Sequence, residues 1–184
     1  MNKRIVYIGG IALSVIVGGV LLRGDLSSFL QWWLAILGIG LVFLPLTNLI
    51  FYKFNDRGYL FSKTIGIAIT GYFMWLFSSL GILKFNTSAC IFSFALGIAL
   101  NISILIYQNK KKEASKKNKS ILSLSMDVVD VFLKEELIFF VIFLILIYIR
   151  GFKPEAYGTE KFMDYGFMTS MMRSDYMPPQ DFWF

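Results

Sequence analysis

Apolar and polar positions along this chain segregate on the scale of whole helices rather than of single turns. Residues 5–22 (IVYIGGIALSVIVGGVLL) form an uncharged apolar run of 18, enough to cross a hydrocarbon core of about 30 Å at roughly 1.5 Å per residue. Further runs cover 29–52, 64–83 and 88–107, joined by the polar connections 23–28, 53–63 (KFNDRGYLFSK) and 84–87. A fifth run, 135–149, has an apolar core of only 13 residues (LIFFVIFLILIYI), so flanking turns or a thinned bilayer must supply the missing length. Pro45 falls inside the second run and predicts a kink near Leu41, with Thr47 or a neighbouring helix satisfying the freed carbonyl. Trp32 and Trp33 mark the outer end of that run and Tyr52 its inner end, since amphipathic rings favour the membrane interface.

Two other stretches are amphipathic. Residues 121–134 (ILSLSMDVVDVFLK) predict a short interfacial helix, and 160–173 predict a helix lying along the membrane surface, with Thr159 as its cap. Pro178 and Pro179 then force an extended segment. The pattern predicts an all-α integral membrane protein of about five transmembrane helices plus an extracytoplasmic interfacial helix. It divides into a four-span region (1–109), a basic cytoplasmic loop with its interfacial helix (110–134), a fifth span (135–149) and an acidic extracytoplasmic loop (150–184).

Composition agrees. With 57% hydrophobic and only 16% charged residues, the chain has too little polar surface to cover a water-soluble globule. Its net charge of +6 does not imply a nucleic-acid partner, because the basic residues sit in short loops between apolar runs. Membrane lipid is the implied partner. Six lysines crowd into QNKKKEASKKNKS alone. With the N-terminus in the cytoplasm, the inner segments carry Lys3, Arg4, Lys53, Arg57, Lys63, Lys110, Lys111, Lys112, Lys116, Lys117, Lys119 and Lys134. The outer ones carry only Arg23, Lys84, Arg150, Lys153, Lys161 and Arg173. That asymmetry predicts a multi-pass cell-membrane protein with residues 150–184 outside. A cleaved signal peptide is the rival reading of the first run, but RGDL rather than a small-residue cleavage site follows Leu22.

Candidate chemistry is confined by what is missing. The chain has no histidine and one cysteine, Cys90, in an apolar run, so imidazole bases, His-based zinc sites and intrachain disulfides are excluded. Carboxylates remain, and Glu155, Glu160, Asp164, Asp175 and Asp181 fall in the last 35 residues. On the predicted 160–173 helix, Glu160 and Asp164 lie four apart and share one face, where they could hold a divalent metal or orient a proton acceptor. A solvated acidic face is the plainer account of the same spacing.

The string Gly158-Thr159-Glu160-Lys161, Met163-Asp164, Phe167, Arg173-Ser174, Pro178-Pro179, Asp181 and Trp183 closely resembles the signature of the YYY family of prokaryotic polytopic membrane proteins, a family of unknown function. The segment from Asp56 to Gly81 (DRGYLFSKTIGIAITGYFMWLFSSLG) is similar to that family's N-terminal region. Phe162 and Phe182 stand where the family usually has proline. The tyrosine triplet that names the family is absent, so a longer protein is expected, with further C-terminal spans or a partner chain completing it. The family in turn resembles the GT-C membrane glycosyltransferases, which use polyprenyl-phosphate sugar donors. That resemblance implies Glu160 or Asp164 as general base or metal ligand, and Lys161, Arg173 and Asp181 as substrate-binding groups, with Lys161 or Arg173 beside the donor phosphate. A non-catalytic transporter half or assembly component is the alternative; the four long spans contain no charged residue, which counts against transport.

Overall fold

The computed structural model describes residues 3–114, 126–153, 155 and 161–181. The described residues are helical, with no strand among them. Helix α1 (Lys3–Leu22) is followed by a 3-10 turn at Arg23–Asp25 and α2 (Leu26–Ile50); then come α3 (Tyr59–Ser79), α4 (Thr87–Ala114), α5 (Met126–Gly151) and α6 (Lys161–Arg173). Three stretches are long and apolar enough to cross a membrane: Lys3–Ile50, Tyr59–Ser79 and Thr87–Lys110. The first of them is a hairpin. Arg23 adopts a left-handed φ of +50°, and a Cβ placed on Gly18 would lie 3.4 Å from Leu26 Cδ1. Eight residues of straight helix would instead separate these positions by roughly 12 Å.

Helix α5 runs unbroken, so residues 126–134, expected as part of a separate interfacial helix, are the first turns of the same element as the fifth apolar run. The rest of that expected helix, 121–125, lies outside the described residues, as do Lys116, Lys117 and Lys119. Helix α5 lies parallel to α1. Arg4 Nε pairs with Asp130 Oδ1 at 2.6 Å near one end, Gly10 faces Leu137 in the middle and Gly18 faces Leu144 near the other end. At the level of Gly18, Phe29, Phe140 and Leu144 form an apolar cluster bordered by Val15, Leu26 and Trp33.

Helices α2, α3 and α4 form a second group around Phe43, which is fully buried. Its ring fits because its neighbours lack side chains. A Cβ on Gly97 of α4 would meet Phe43 Cζ at 2.5 Å, and one on Gly66 of α3 would meet Ile39 Cγ2 at 2.5 Å and Phe43 Cδ2 at 2.9 Å. In lipid, where burying apolar surface offers helices no advantage over acyl chains, such close approach is what drives association.

Pro45 lies within α2, but the contacts around it differ from those expected: Thr47 and the neighbouring helix serve groups other than the Leu41 carbonyl. Proline removes one amide and pushes away the carbonyl one turn back; here the displaced Leu46 amide donates to Asn101 Oδ1 of α4 at 3.1 Å. Asn101 in turn donates to Gly97 O at 2.9 Å, and Thr47 Oγ1 donates to Leu44 O at 3.1 Å. Satisfaction comes from across the helix interface as well as within the helix.

The glycine contacts are testable by SDS-titrated unfolding in mixed micelles. Gly97→Val and Gly66→Val should each lower stability by about 1–3 kcal/mol through overpacking against Phe43. Gly71→Ala, where a Cβ meets nothing within 4 Å, should leave stability unchanged or raise it by up to about 1 kcal/mol.

Candidate functional site

Two polar constellations stand out. The first lies inside the bundle, centred on Glu136 of α5, which is 5% exposed. Its Oε1 accepts from Trp33 Nε1 at 2.6 Å, and its Oε2 accepts from Tyr59 Oη at 2.6 Å and Lys63 Nζ at 2.5 Å. Three donors from α2 and α3 therefore converge on one carboxylate of α5. The Lys63 ammonium also lies 4.5 Å from the Phe139 ring centre and 4.9 Å from that of Tyr59. Tyr59 itself stacks on Phe132 at 4.4 Å. The Lys63 stem crosses α2 at Gly40, where a Cβ would meet Lys63 Cγ at 2.9 Å.

This cluster corrects two expectations. Lys63 was expected in the inner loop, but α3 begins at Tyr59, so Lys63 is part of the helix and 3% exposed. The spans therefore do carry charge. Trp33 was expected at the interface beside Trp32; instead Trp32 is 66% exposed while Trp33 turns inward to Glu136. The available signal was a Glu135-Glu136 pair heading an apolar run, since an acid at that position needs a partner.

The second constellation is at the end of the bundle that holds the 23–25 turn. Residues 174–181 fold back along α6: the Ser174 amide donates to Ser170 O at 3.1 Å, and Ser170 Oγ donates to Gln180 O at 2.5 Å. The loop after α3 receives this unit. The Phe85 amide donates to Asp175 O at 2.7 Å, Lys84 Nζ pairs with Asp175 Oδ2 at 3.1 Å, and Met177 is buried. Hydrogen bonding to Asp175, and then its charge, push the Lys84 pKa above its ordinary value.

Of the residues expected from sequence, Arg173 and Asp181 come together, both lining an open cleft of about 510 Å³ with Thr169, Ser170, Ser174, Asp175, Tyr176, Pro178 and Gln180. Lys161 and Asp164 are exposed and do not line it. Asp164 and Arg173 are nine residues apart, which at about 3.6 residues per turn puts them on opposite sides of α6. Asp164 lies in the first turn of α6, where the helix dipole favours a negative charge. Glu160 lies outside the described residues, as do Thr159 and Trp183. Among the described residues, no group of three or more acidic or Cys side chains is placed to hold a metal ion. The side of α6 away from the cleft carries Lys161, Tyr165, Met168 and Met172 at i, i+4, i+7 and i+11, a single helical stripe. Tyr165, Met168 and Met172 there are 60%, 60% and 76% exposed.

A family model described as an uncharacterized membrane protein (DUF2298) matches residues 69–184. No curated protein and no solved structure matches the chain. The matched region contains Glu136 and the whole of α6, whereas Trp33, Tyr59 and Lys63 precede it.

Breaking the buried pair should be costly. Lys63→Met is expected to lose about 3–5 kcal/mol by stranding the Glu136 charge, while the double variant Lys63→Met with Glu136→Leu should recover most of that loss; unfolding in mixed micelles measures both. A second prediction follows from Lys84. Because its pKa is raised in the folded chain, its contribution to docking 161–181 is complete below the unfolded value of about 10.4 and is lost as pH rises through the folded value. Spin labels at Ile82→Cys and Met172→Cys, in a Cys90→Ser background, should keep one distance distribution from pH 6 to about pH 9 and broaden only above about 10.4. Broadening already at pH 8 would show that Lys84 does not hold the unit.

Proposed function

The chain belongs to the uncharacterized membrane protein family DUF2298, and from that premise we propose a GT-C-like membrane glycosyltransferase that takes its sugar from a polyprenyl-phosphate donor. One observation carries this reading: α6 is a two-sided surface helix, with an exposed Lys161–Tyr165–Met168–Met172 stripe on one side and the Arg173–Asp181 cleft on the other. The stripe suits the headgroup boundary, where Tyr165 and the methionines sink toward acyl chains and Lys161 stays at phosphate level. Lys161 then neutralises the donor phosphate as its bond to sugar C1 breaks. Asp164, beside Lys161 on the same half of the helix, acts as the base that deprotonates the acceptor hydroxyl, with Glu160 as its partner or as a fellow ligand of a divalent metal. Arg173 and Asp181 contact substrate within the cleft.

The topology that goes with this role is multi-pass, with five spans, the N-terminus and the 51–58 turn on the cytoplasmic side, and 161–181 outside. Support comes from the distribution of basic residues and from the contact of Asp175 with the Lys84 turn, which puts α6 at the end opposite the 51–58 turn. A second reading, a transporter or assembly component, is favoured by the buried Lys63–Glu136 pair, since ionisable groups inside membrane helices often mark a pathway.

Transfer from a labelled polyprenyl-phosphate sugar, measured in membranes containing the protein, separates the two. Asp164→Asn or Glu160→Gln should lower transfer by roughly 10²–10⁴-fold, with unfolding curves like those of the parent. Transfer unchanged in both variants would remove these carboxylates from the mechanism.

A further inference from the structure

The cleft beneath α6 has a chemistry distinct from that of the stripe above it. Its hydroxyl protons are already committed. Thr169 Oγ1 donates to Tyr165 O at 2.9 Å, Ser170 Oγ to Gln180 O, and Ser174 Oγ to Ser170 O at 2.9 Å. Each hydroxyl is therefore left to act toward a ligand as an acceptor. Donors come from the Arg173 guanidinium, which makes no ion pair among the described residues, and from the Gln180 amide and the Tyr176 hydroxyl. Tyr176 is 44% exposed and presents a ring as well as its hydroxyl.

Charge decides what such a lining can hold. The lining holds one cation, Arg173, and two carboxylates, Asp175 and Asp181, and Asp175 is already paired at 3.1 Å with Lys84 from outside the cleft, so these four groups together carry no net charge. A site with no net charge gains little by taking a phosphate, for which a positive excess is needed. It is instead suited to an uncharged ligand that presents closely spaced donors and acceptors, so that both the acceptor oxygens and the guanidinium fork are satisfied. Leaving either unpaired costs specificity for the wrong ligand. The volume of about 510 Å³ lies within the roughly 300–1,000 Å³ range of small-molecule sites.

We infer that the Arg173–Tyr176–Gln180–Asp181 cleft binds a neutral saccharide. Its hydroxyl groups donate to the Ser170, Ser174 and Thr169 oxygens, its ring and hydroxyl oxygens accept from Arg173 and Gln180, and its C–H face lies on Tyr176. The inference deepens the glycosyltransferase reading, on which it rests for its biological sense: the cleft would hold the non-reacting part of a saccharide acceptor on the water side of α6, leaving its reacting end to extend around the helix to Asp164 and the lipid-linked donor. The binding itself involves no covalent step.

The protein in lipid nanodiscs, without any donor, is titrated with maltotriose, mannotriose and chitotriose and followed by saturation-transfer difference NMR. At least one trisaccharide is expected to bind. Arg173→Ala and Tyr176→Ala should each weaken that binding at least tenfold, Arg173→Lys should weaken it too because the fork is lost, and Lys153→Ala should not. Inorganic phosphate should not displace the sugar. No binding by any trisaccharide, displacement by phosphate, or binding indifferent to Arg173→Ala would each overturn the assignment. Because no donor is present, sugar binding with no transfer activity would uphold the cleft and sink the transferase, whereas transfer without sugar binding would do the reverse.

Discussion

A carboxylate inside an apolar bundle is the constraint on which the rest of this architecture depends. Removing Glu136 from water is strongly unfavourable unless its charge is matched and its lone pairs are occupied. The chain meets that demand with Lys63, Tyr59 and Trp33 at 2.5–2.6 Å, and none of these can be offered by α5 or its close neighbour α1. The α1–α5 pair and the α2–α3–α4 group must consequently meet at one register, because sliding α5 by a turn would strand the acid and three donors together. Such a pair adds little net stability over a well-packed apolar substitute; its contribution is to make other arrangements worse. Packing around Phe140 and Phe29 would tolerate several registers, and the ion pair selects among them.

The same logic of unmet polar groups governs the second helix group and the end of the bundle that holds the 23–25 turn. Pro45 would leave a broken ladder in α2, and Asn101 of α4 repairs it, so a helix defect becomes an interhelical contact beside the glycine-lined pocket of Phe43. Outside the bundle the 174–181 return uses backbone amides and hydroxyls to close on α6, then fastens to the turn after α3 through Asp175. This surface unit is thus held by polar contacts in water and is softer than the core.

How much of this was legible in the sequence depended on whether a pattern or a pairing was at issue. The apolar runs, the surface helix after the last of them and the tolerance of Pro45 are properties of single segments, and hydropathy with proline stereochemistry sufficed for them. The start of α3 at Tyr59 was not readable in that way. Arg57 and Gly58, both left-handed at φ of +51° and +77°, end the turn early, and Lys63 is drawn into the helix by a partner 73 positions away. Trp33 and Trp32 have identical propensities, and only the position of Glu136 tells which one turns inward. Lys134, Glu135 and Glu136 interrupt the hydropathy of α5 and suggested a helix boundary where none exists. The opposition of Asp164 and Arg173 was open to counting, since nine residues make two and a half turns, but their common motif encouraged treating them as one site.

The limits of the family match carry a physical consequence of their own. Residues 69–184 include the acid at the centre of the bundle and exclude the lysine, tyrosine and tryptophan that satisfy it. A charged group cannot be left alone in hydrocarbon, so any chain with an acid at this place in α5 must find donors elsewhere. Here they come from α2 and the first turns of α3. The matched region is therefore not an energetic unit by itself, and the surface helix it contains is positioned by a framework that begins upstream. The register fixed at Glu136 sets where α5 emerges relative to α3 and α4, and hence how far the chain must reach to bring Asp175 onto Lys84.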